Sequence, residues 1–187
     1  MSKLIMWNII TLDGYFEGEK SWELPFHQIV WDSEMERFCL EQLNSASYLV
    51  FGRTTYEGMA AYWKTEEGEI ADFMNNLPKI VCSRTLNSAD WNNSILIKEN
   101  VANEIATLKA KSGKDMYVFG SSNLSETLIR ENLIDEYRIG IAPVISGKGR
   151  YLFSTGLPWN KLSFISSQPL MTGGVILKYK SLASGQQ

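Results

Sequence analysis

Histidine occurs once in this chain of 187 residues, cysteine twice and proline five times. With His27 alone, and with Cys39 and Cys82 far apart in separate apolar runs, the sequence offers no metal-ligating set, and no metal is expected. Two cysteines without a leader read as buried thiols of a reducing cytoplasm. No run of 18 apolar residues exists, so no membrane span is expected. An excess of positive charge is missing too: 18 Lys and Arg stand against 21 Asp and Glu, for a net charge of −3. That balance excludes a general binder of nucleic-acid backbone, while leaving room for one small basic pocket. The opening MSKLIMWNII enters a strand pattern directly, without the apolar stretch and cleavage site of a secretory leader. The expected setting is cytoplasmic.

What is present is an alternation of two periods. Strand-like runs lie at Lys3–Ile10, Ser47–Phe51, Lys79–Ser83, Ser94–Lys98, Met116–Phe119 and Glu136–Val144. Two more, Lys161–Ser167 and Val175–Lys180, flank Gly173-Gly174 and predict a closing antiparallel hairpin. Helical stretches fall near Ser33–Asn44, Thr54–Ala61, Glu67–Asn75, Val101–Lys111 and Asn123–Asn132. The expectation is a single α/β domain over residues 1–187, with a loose tail at 182–187. Its core would be a mixed sheet of about eight strands with helices on both faces.

Four short segments stand at strand ends, where open α/β sheets bind ligands. They are Thr11–Tyr15 (TLDGY), Phe51–Glu57 (FGRTTYE), Val81–Thr85 (VCSRT) and Val118–Leu124 (VFGSSNL). In the second and fourth, a glycine opens a helix whose free first-turn N–H groups favour an anion. The hydroxyls of Thr54, Thr55, Ser121 and Ser122 add donors there, and Arg53 and Arg84 add planar cations that suit phosphate. Taken one at a time, each is also what a tight turn with a cap looks like; as an ordered set they point to a dinucleotide.

GRTTYE, VCSRT and FGSSNL, in this order, resemble the cofactor segments of dihydrofolate reductases, and Trp22-Glu23-Leu24-Pro25 is similar to their W-x-L-P. Leu133–Tyr137, Ala142–Gly149 and Leu152-Phe153 resemble something narrower: the C-terminal reductase domain of the bifunctional riboflavin deaminase–reductase and its stand-alone bacterial relatives. The zinc signature of the deaminase half is absent. The resemblance covers roughly Lys3 to Lys180 and implies a dihydrofolate-reductase-like three-layer fold that binds NADPH. Ile9 and Phe16 would then offer backbone groups to the nicotinamide carboxamide. Gly52, Arg53 and Thr55 would hold the pyrophosphate and adenosine side, and Ser83 and Arg84 the 2′-phosphate. Gly120, Ser121, Ser122 and Leu124 would line the pyrophosphate turn. The resemblance also implies a homodimer. Two departures stand out. Gly120-Ser121 replaces the Gly-Gly of dihydrofolate reductases, which a serine tolerates if its φ is negative. The loop Ser146–Phe153 has no acid where the riboflavin reductases place one.

Hydride transfer to C=N or C=O also needs a proton. The resemblance points to Glu36, 16 residues ahead of Gly52 on the first long helix. There Met35, Phe38, Cys39, Gln42, Leu43 and Ala46 form the inward stripe, with Glu36 at its edge. Ser33-Glu34-Met35-Glu36 equally fits a capping box, with Glu36 reaching back to the cap; Asp32 and Asp13 are the other acids considered. His27 reads as a polar surface or core-edge residue. Trp7, Trp22 and Trp31 either flank a flat heterocycle or serve packing. The expected function is an NADPH-dependent oxidoreductase of a small heterocycle, resembling 5-amino-6-(5-phosphoribosylamino)uracil reductase. The alternatives are pterin reduction of the dihydrofolate type, and a non-catalytic module that binds or senses NADPH.

Overall fold

A computed structural model of the chain describes residues 2–182; the expected tail falls almost wholly outside the described residues. In chain order the elements are β1 (Leu4–Thr11), β2 (Tyr15–Glu17), α1 (Ser33–Ser45), β3 (Ala46–Gly52), α2 (Arg53–Trp63), α3 (Glu69–Asn76), β4 (Lys79–Cys82) and β5 (Ser94–Ile97). There follow α4 (Val101–Lys111), β6 (Asp115–Phe119), α5 (Ser122–Arg130), β7 (Glu136–Ala142), β8 (Arg150–Tyr151), β9 (Leu162–Pro169) and β10 (Val175–Ser181). A single 3-10 turn at Pro25–His27 precedes α1.

Eight strands form one sheet in the order β5-β4-β3-β6-β1-β7-β10-β9. The pairings from β5 across to β7 are parallel. β10 runs antiparallel to β7, and β9 antiparallel to β10, so the sheet is mixed and the expected hairpin closes it. β1 lies mid-sheet and is buried along almost its whole length. A strand covered on both faces needs no polar alternation, which is why LIMWNII reads as one apolar run.

Alternate strand residues face opposite sides. Leu4, Met6, Val50, Ile80, Met116 and Val118 pack with Ile105 of α4 and Leu128 of α5. Ile5, Leu49, Phe51 and Tyr117 pack on the other side with Tyr56 of α2 and Met74 of α3, and Trp7 and Ile9 with Met35 and Phe38 of α1.

Two local features differ from the sequence expectation. The cap of α1 is Asp32, whose Oδ1 accepts from the amides of Glu34 (3.0 Å) and Met35 (2.9 Å). The capping box of Ser33 and Glu36 is therefore not the one used: a charged acceptor at Asp32 suits the positive helix end better than a Ser33 hydroxyl. β2 and β8 also pair as a separate antiparallel ribbon. Elements of three and two residues are too short to show a period.

Candidate functional site

The carboxyl ends of β1, β3 and β6 lie side by side, with β6 inserted where the chain order reverses, the place where open α/β sheets hold ligands. A cleft opens there. Asn8 and Ile9 of β1 and Phe16 and Glu17 of β2 line one part of it. Cys39 and Gln42 of α1, Thr54 and Thr55 of α2, and the turn Gly120–Asn123 line the rest, with Arg150 from β8.

The two glycine junctions interlock at this cleft. A Cβ on Gly52 would lie 2.1 Å from Ser121 Oγ, and one on Gly120 would lie 2.9 Å from Thr55 Oγ1. The Gly120 amide donates to Asn8 Oδ1 at 2.8 Å, tying the turn to β1. Gly120 has φ 55° and Ser121 φ 56°. The condition for a readily tolerated serine, a negative φ at Ser121, is thus not met: the step from β6 into α5 takes two left-handed residues in succession, at a cost for serine of roughly 1–2 kcal/mol. Neither α2 nor α5 has a side-chain cap, so their first-turn amides are open to an anion.

The other residues proposed for phosphates gather outside this cleft. Exposed Arg53 donates through Nη1 to Thr85 Oγ1 (2.9 Å) and through Nε to Glu57 (2.9 Å), joining the start of α2 to the loop after β4. In that loop Ser83 is buried, its Oγ accepting from the amides of Thr85 and Leu86, and Arg84 is exposed. Gly52, Arg53, Ser83 and Arg84 do not line the cleft, and Leu124 is a core residue packed in the cluster that holds Leu128.

Trp7, Trp22 and Trp31 all line the cleft. Trp7 tilts against Phe38 with ring centres 5.0 Å apart, and crosses Gly140, where a Cβ would lie 3.1 Å from its ring. Trp22 has φ 68°, an outlier for so bulky a residue. Two contacts account for it: its amide donates to Glu17 Oε2 at 3.0 Å, and its ring covers Gly58 of α2 so closely that a Cβ there would lie 2.4 Å from it.

None of the three acids expected from the sequence lines the cleft. Glu36 is exposed rather than at an interior edge, because α1 turns only the Met35, Phe38, Gln42 and Leu43 stripe inward. Asp32 is the cap of α1. Asp13 accepts from Thr11 Oγ1 (2.6 Å) and from the amides of Ser146 (3.1 Å) and Gly147 (2.7 Å). The Thr11 hydroxyl, with those amides, holds its carboxyl down at about 2. The acid that does line the cleft is Glu17, almost fully buried, with Oε1 3.1 Å from Arg150 Nε. Its sequence signal is slight: it follows Phe16, already assigned to the cofactor. His27, expected at the surface or core edge, lines the cleft as well; burial lowers its pKa to about 4, so it is neutral at pH 7. The Cys39 thiol, pushed up to about 12 by burial and by the Glu36 charge, is no nucleophile.

The family model of the RibD C-terminal domain matches residues 2–176. The chain belongs to this family. A Bacillus subtilis (strain 168) relative, the uncharacterized protein YyaP, is 30% identical over 182 residues, covering 95% of this chain and 94% of its own length. A putative riboflavin biosynthesis protein from Shewanella sp. PV-4 has a similar structure, with TM-score 0.78 at 22% identity, covering 96% of this chain and 99% of that one. Dihydrofolate reductase from Enterococcus faecalis, complexed with NADP(H), gives TM-score 0.67 at 16% identity over 96% of both chains. Acinetobacter baumannii RibD gives 0.70 at 14% identity; 97% of this chain corresponds to 58% of that longer one. The loop 146–153 carries no acid, and the ribbon sets Glu17 of β2 against that loop through Arg150.

Proposed function

We propose that the protein is an NADPH-dependent reductase of a small planar heterocycle, of the kind that 5-amino-6-(5-phosphoribosylamino)uracil represents. One observation carries the reading: the uncapped first turns of α2 and α5 interlock at Gly52, Thr55, Gly120 and Ser121, directly beside an aromatic-walled cleft. The residues present fit a dinucleotide, since two helix starts suit a pyrophosphate and the Arg53–Thr85 contact brings a cationic edge alongside. Ser121, Ser122 and Thr55 would take the pyrophosphate, Ile9 and Phe16 the carboxamide, and Arg84 with Ser83 the 2′-phosphate. When bound, the cofactor supplies hydride. The chain's own part is to stack the acceptor among Trp7, Trp22 and Trp31, to exclude water, and to keep Trp22 and Arg150 in place through Glu17. A homodimer belongs to the same reading.

A non-catalytic module has one observation in its favour: Glu17, the one carboxylate lining the cleft among the described residues, is already engaged by Arg150 and by the Trp22 amide. Titration with NADPH and NADH, followed by NADPH oxidation with pyrimidine and pterin acceptors, separates the readings. Preferential NADPH binding with turnover is the expected result. Binding without turnover on any acceptor leaves the module, and equal affinity for the two cofactors removes the 2′-phosphate assignment.

A further inference from the structure

His27 lines the cleft from the end of the 3-10 turn Pro25–His27, where its amide donates to Leu24 O at 3.1 Å. Its ring meets Phe26 edge-on, with centres 5.1 Å apart. Phe26 packs in turn in the cluster of Trp7 and Cys39, which puts His27 at the aromatic end of the cleft. Protein surrounds the imidazole closely enough that burial lowers its pKa to about 4, yet the residue keeps part of its surface open. A place in a concave wall gives both. Among the described residues neither ring nitrogen has a hydrogen bond within the fold, and neither is one of the enclosed polar atoms. Both His27 nitrogens are thus unclaimed without being sealed off.

The charges around it are already spent. Glu17 and Arg150 are the only ions lining the cleft among the described residues, and they face each other at 3.1 Å. The second Glu17 oxygen accepts from the Trp22 amide. No free carboxylate is left to meet a cationic ring, whose burial unpaired is costly. A neutral imidazole has one donor and one acceptor. A lactam offers C=O and N–H on neighbouring atoms, so it satisfies whichever nitrogen faces it.

We propose that His27 is the specificity-determining contact at the aromatic end of the cleft: as a neutral imidazole it hydrogen-bonds an uncharged lactam-type ring, and the cleft refuses cationic amidine-type rings. This deepens the reductase reading and rests on it for the ring's fate, though not for its binding.

His27 is the one histidine of the chain, so protein without an affinity tag, labelled with carbon-13 at histidine Cε1, gives a single imidazole signal. The probes are uracil and 2,4-diaminopyrimidine at about pH 6, where the first is neutral, the second protonated and His27 uncharged. Uracil is expected to move the signal saturably, and the diaminopyrimidine to bind at least about tenfold more weakly. His27→Phe keeps an aromatic ring against Phe26 and should weaken uracil about tenfold, with NADPH affinity unchanged. His27→Gln, which restores a neutral donor and acceptor, should recover part of that loss. His27→Asp should reverse the preference toward the diaminopyrimidine. Melting temperatures show which variants are folded, and the signal of the unmodified protein decides where one is not. A signal that uracil leaves in place, equal binding of the two rings, or undiminished uracil binding in folded His27→Phe overturns the proposal. NADPH that moves the signal and is weakened in His27→Phe assigns His27 to the cofactor and overturns it too. A protein that discriminates the rings through His27 but does not bind NADPH keeps the proposal and removes the reductase reading.

Discussion

Ser121 carries a full side chain on left-handed backbone, and its hydroxymethyl group occupies the space that a Cβ on Gly52 would need. Gly52→Ala is therefore expected to destabilise by about 1–3 kcal/mol through overpacking. Adding Ser121→Gly removes the clashing atoms and the backbone strain together, and most of the loss should return. Denaturant unfolding of all four proteins in the cycle reads this coupling; purely additive effects would mean that the two junctions do not touch. At the edge of the same region, Arg84→Ala should weaken NADPH by roughly 1.5–3 kcal/mol, as for a bond to a charged group, and spare NADH. Parallel titrations check it, and equal losses for both cofactors would detach Arg84 from the 2′-phosphate. The glycines of both junctions were visible in the sequence because a glycine between an apolar strand and a helical period is a local pattern. Glu17 was not, because what makes it notable, Arg150 and the bent backbone at Trp22, is supplied by folding.

At the scale of elements, the segment 18–24 is pinned to α2 by Trp22 over Gly58. Gly58→Ala cannot keep that contact, so Trp22 should swing out and α2 itself should remain, since alanine is the better helix former. The expected signature is a changed Trp fluorescence and weaker ligand binding at nearly unchanged melting temperature; a large drop in melting temperature would show instead that the ring is part of the core. The turn after β1 is tied to the loop after β7 by Asp13. Its folded pKa, about 2, lies below the ordinary carboxylate value, so this tie stabilises fully above pH ~4 and is lost as pH falls through about 2. Asp13→Asn should lack that component of the acid transition, measurable by comparing the two proteins between pH 5 and 2. Strands and helices were legible in place and kind where burial imposed a period, with ends displaced by a residue or two, as where the helix expected at Glu67–Asn75 runs Glu69–Asn76. The cap of α1 moved by one position because Ser33 and Asp32 are both competent caps, and only the packed helix decides between them.

For the whole molecule, the sheet ends at β9, an edge strand that exposes Phe164 (59%) and Ile165 (45%). An apolar free edge is the sort of surface a second copy covers. Sedimentation at micromolar concentration should show a dimer, and Phe164→Lys should raise its dissociation constant at least tenfold, the effect of losing an apolar anchor. A monomer in the parent would refute the pairing. The central place of β1 has its own consequence for how the chain comes to be. Leu4 pairs with Met116 and Ile5 with Glu136, while β3, β4 and β5 find one another within a shorter stretch. At a synthesis rate of roughly 5–20 residues per second, the first strand made waits on the order of ten seconds for its neighbours. Through that interval LIMWNII is an apolar segment without a sheet, a stretch of nascent chain that a chaperone can hold. Ligands can assist folding only after it, since the cleft has no wall to offer until the oldest strand has been inserted between two of the younger ones.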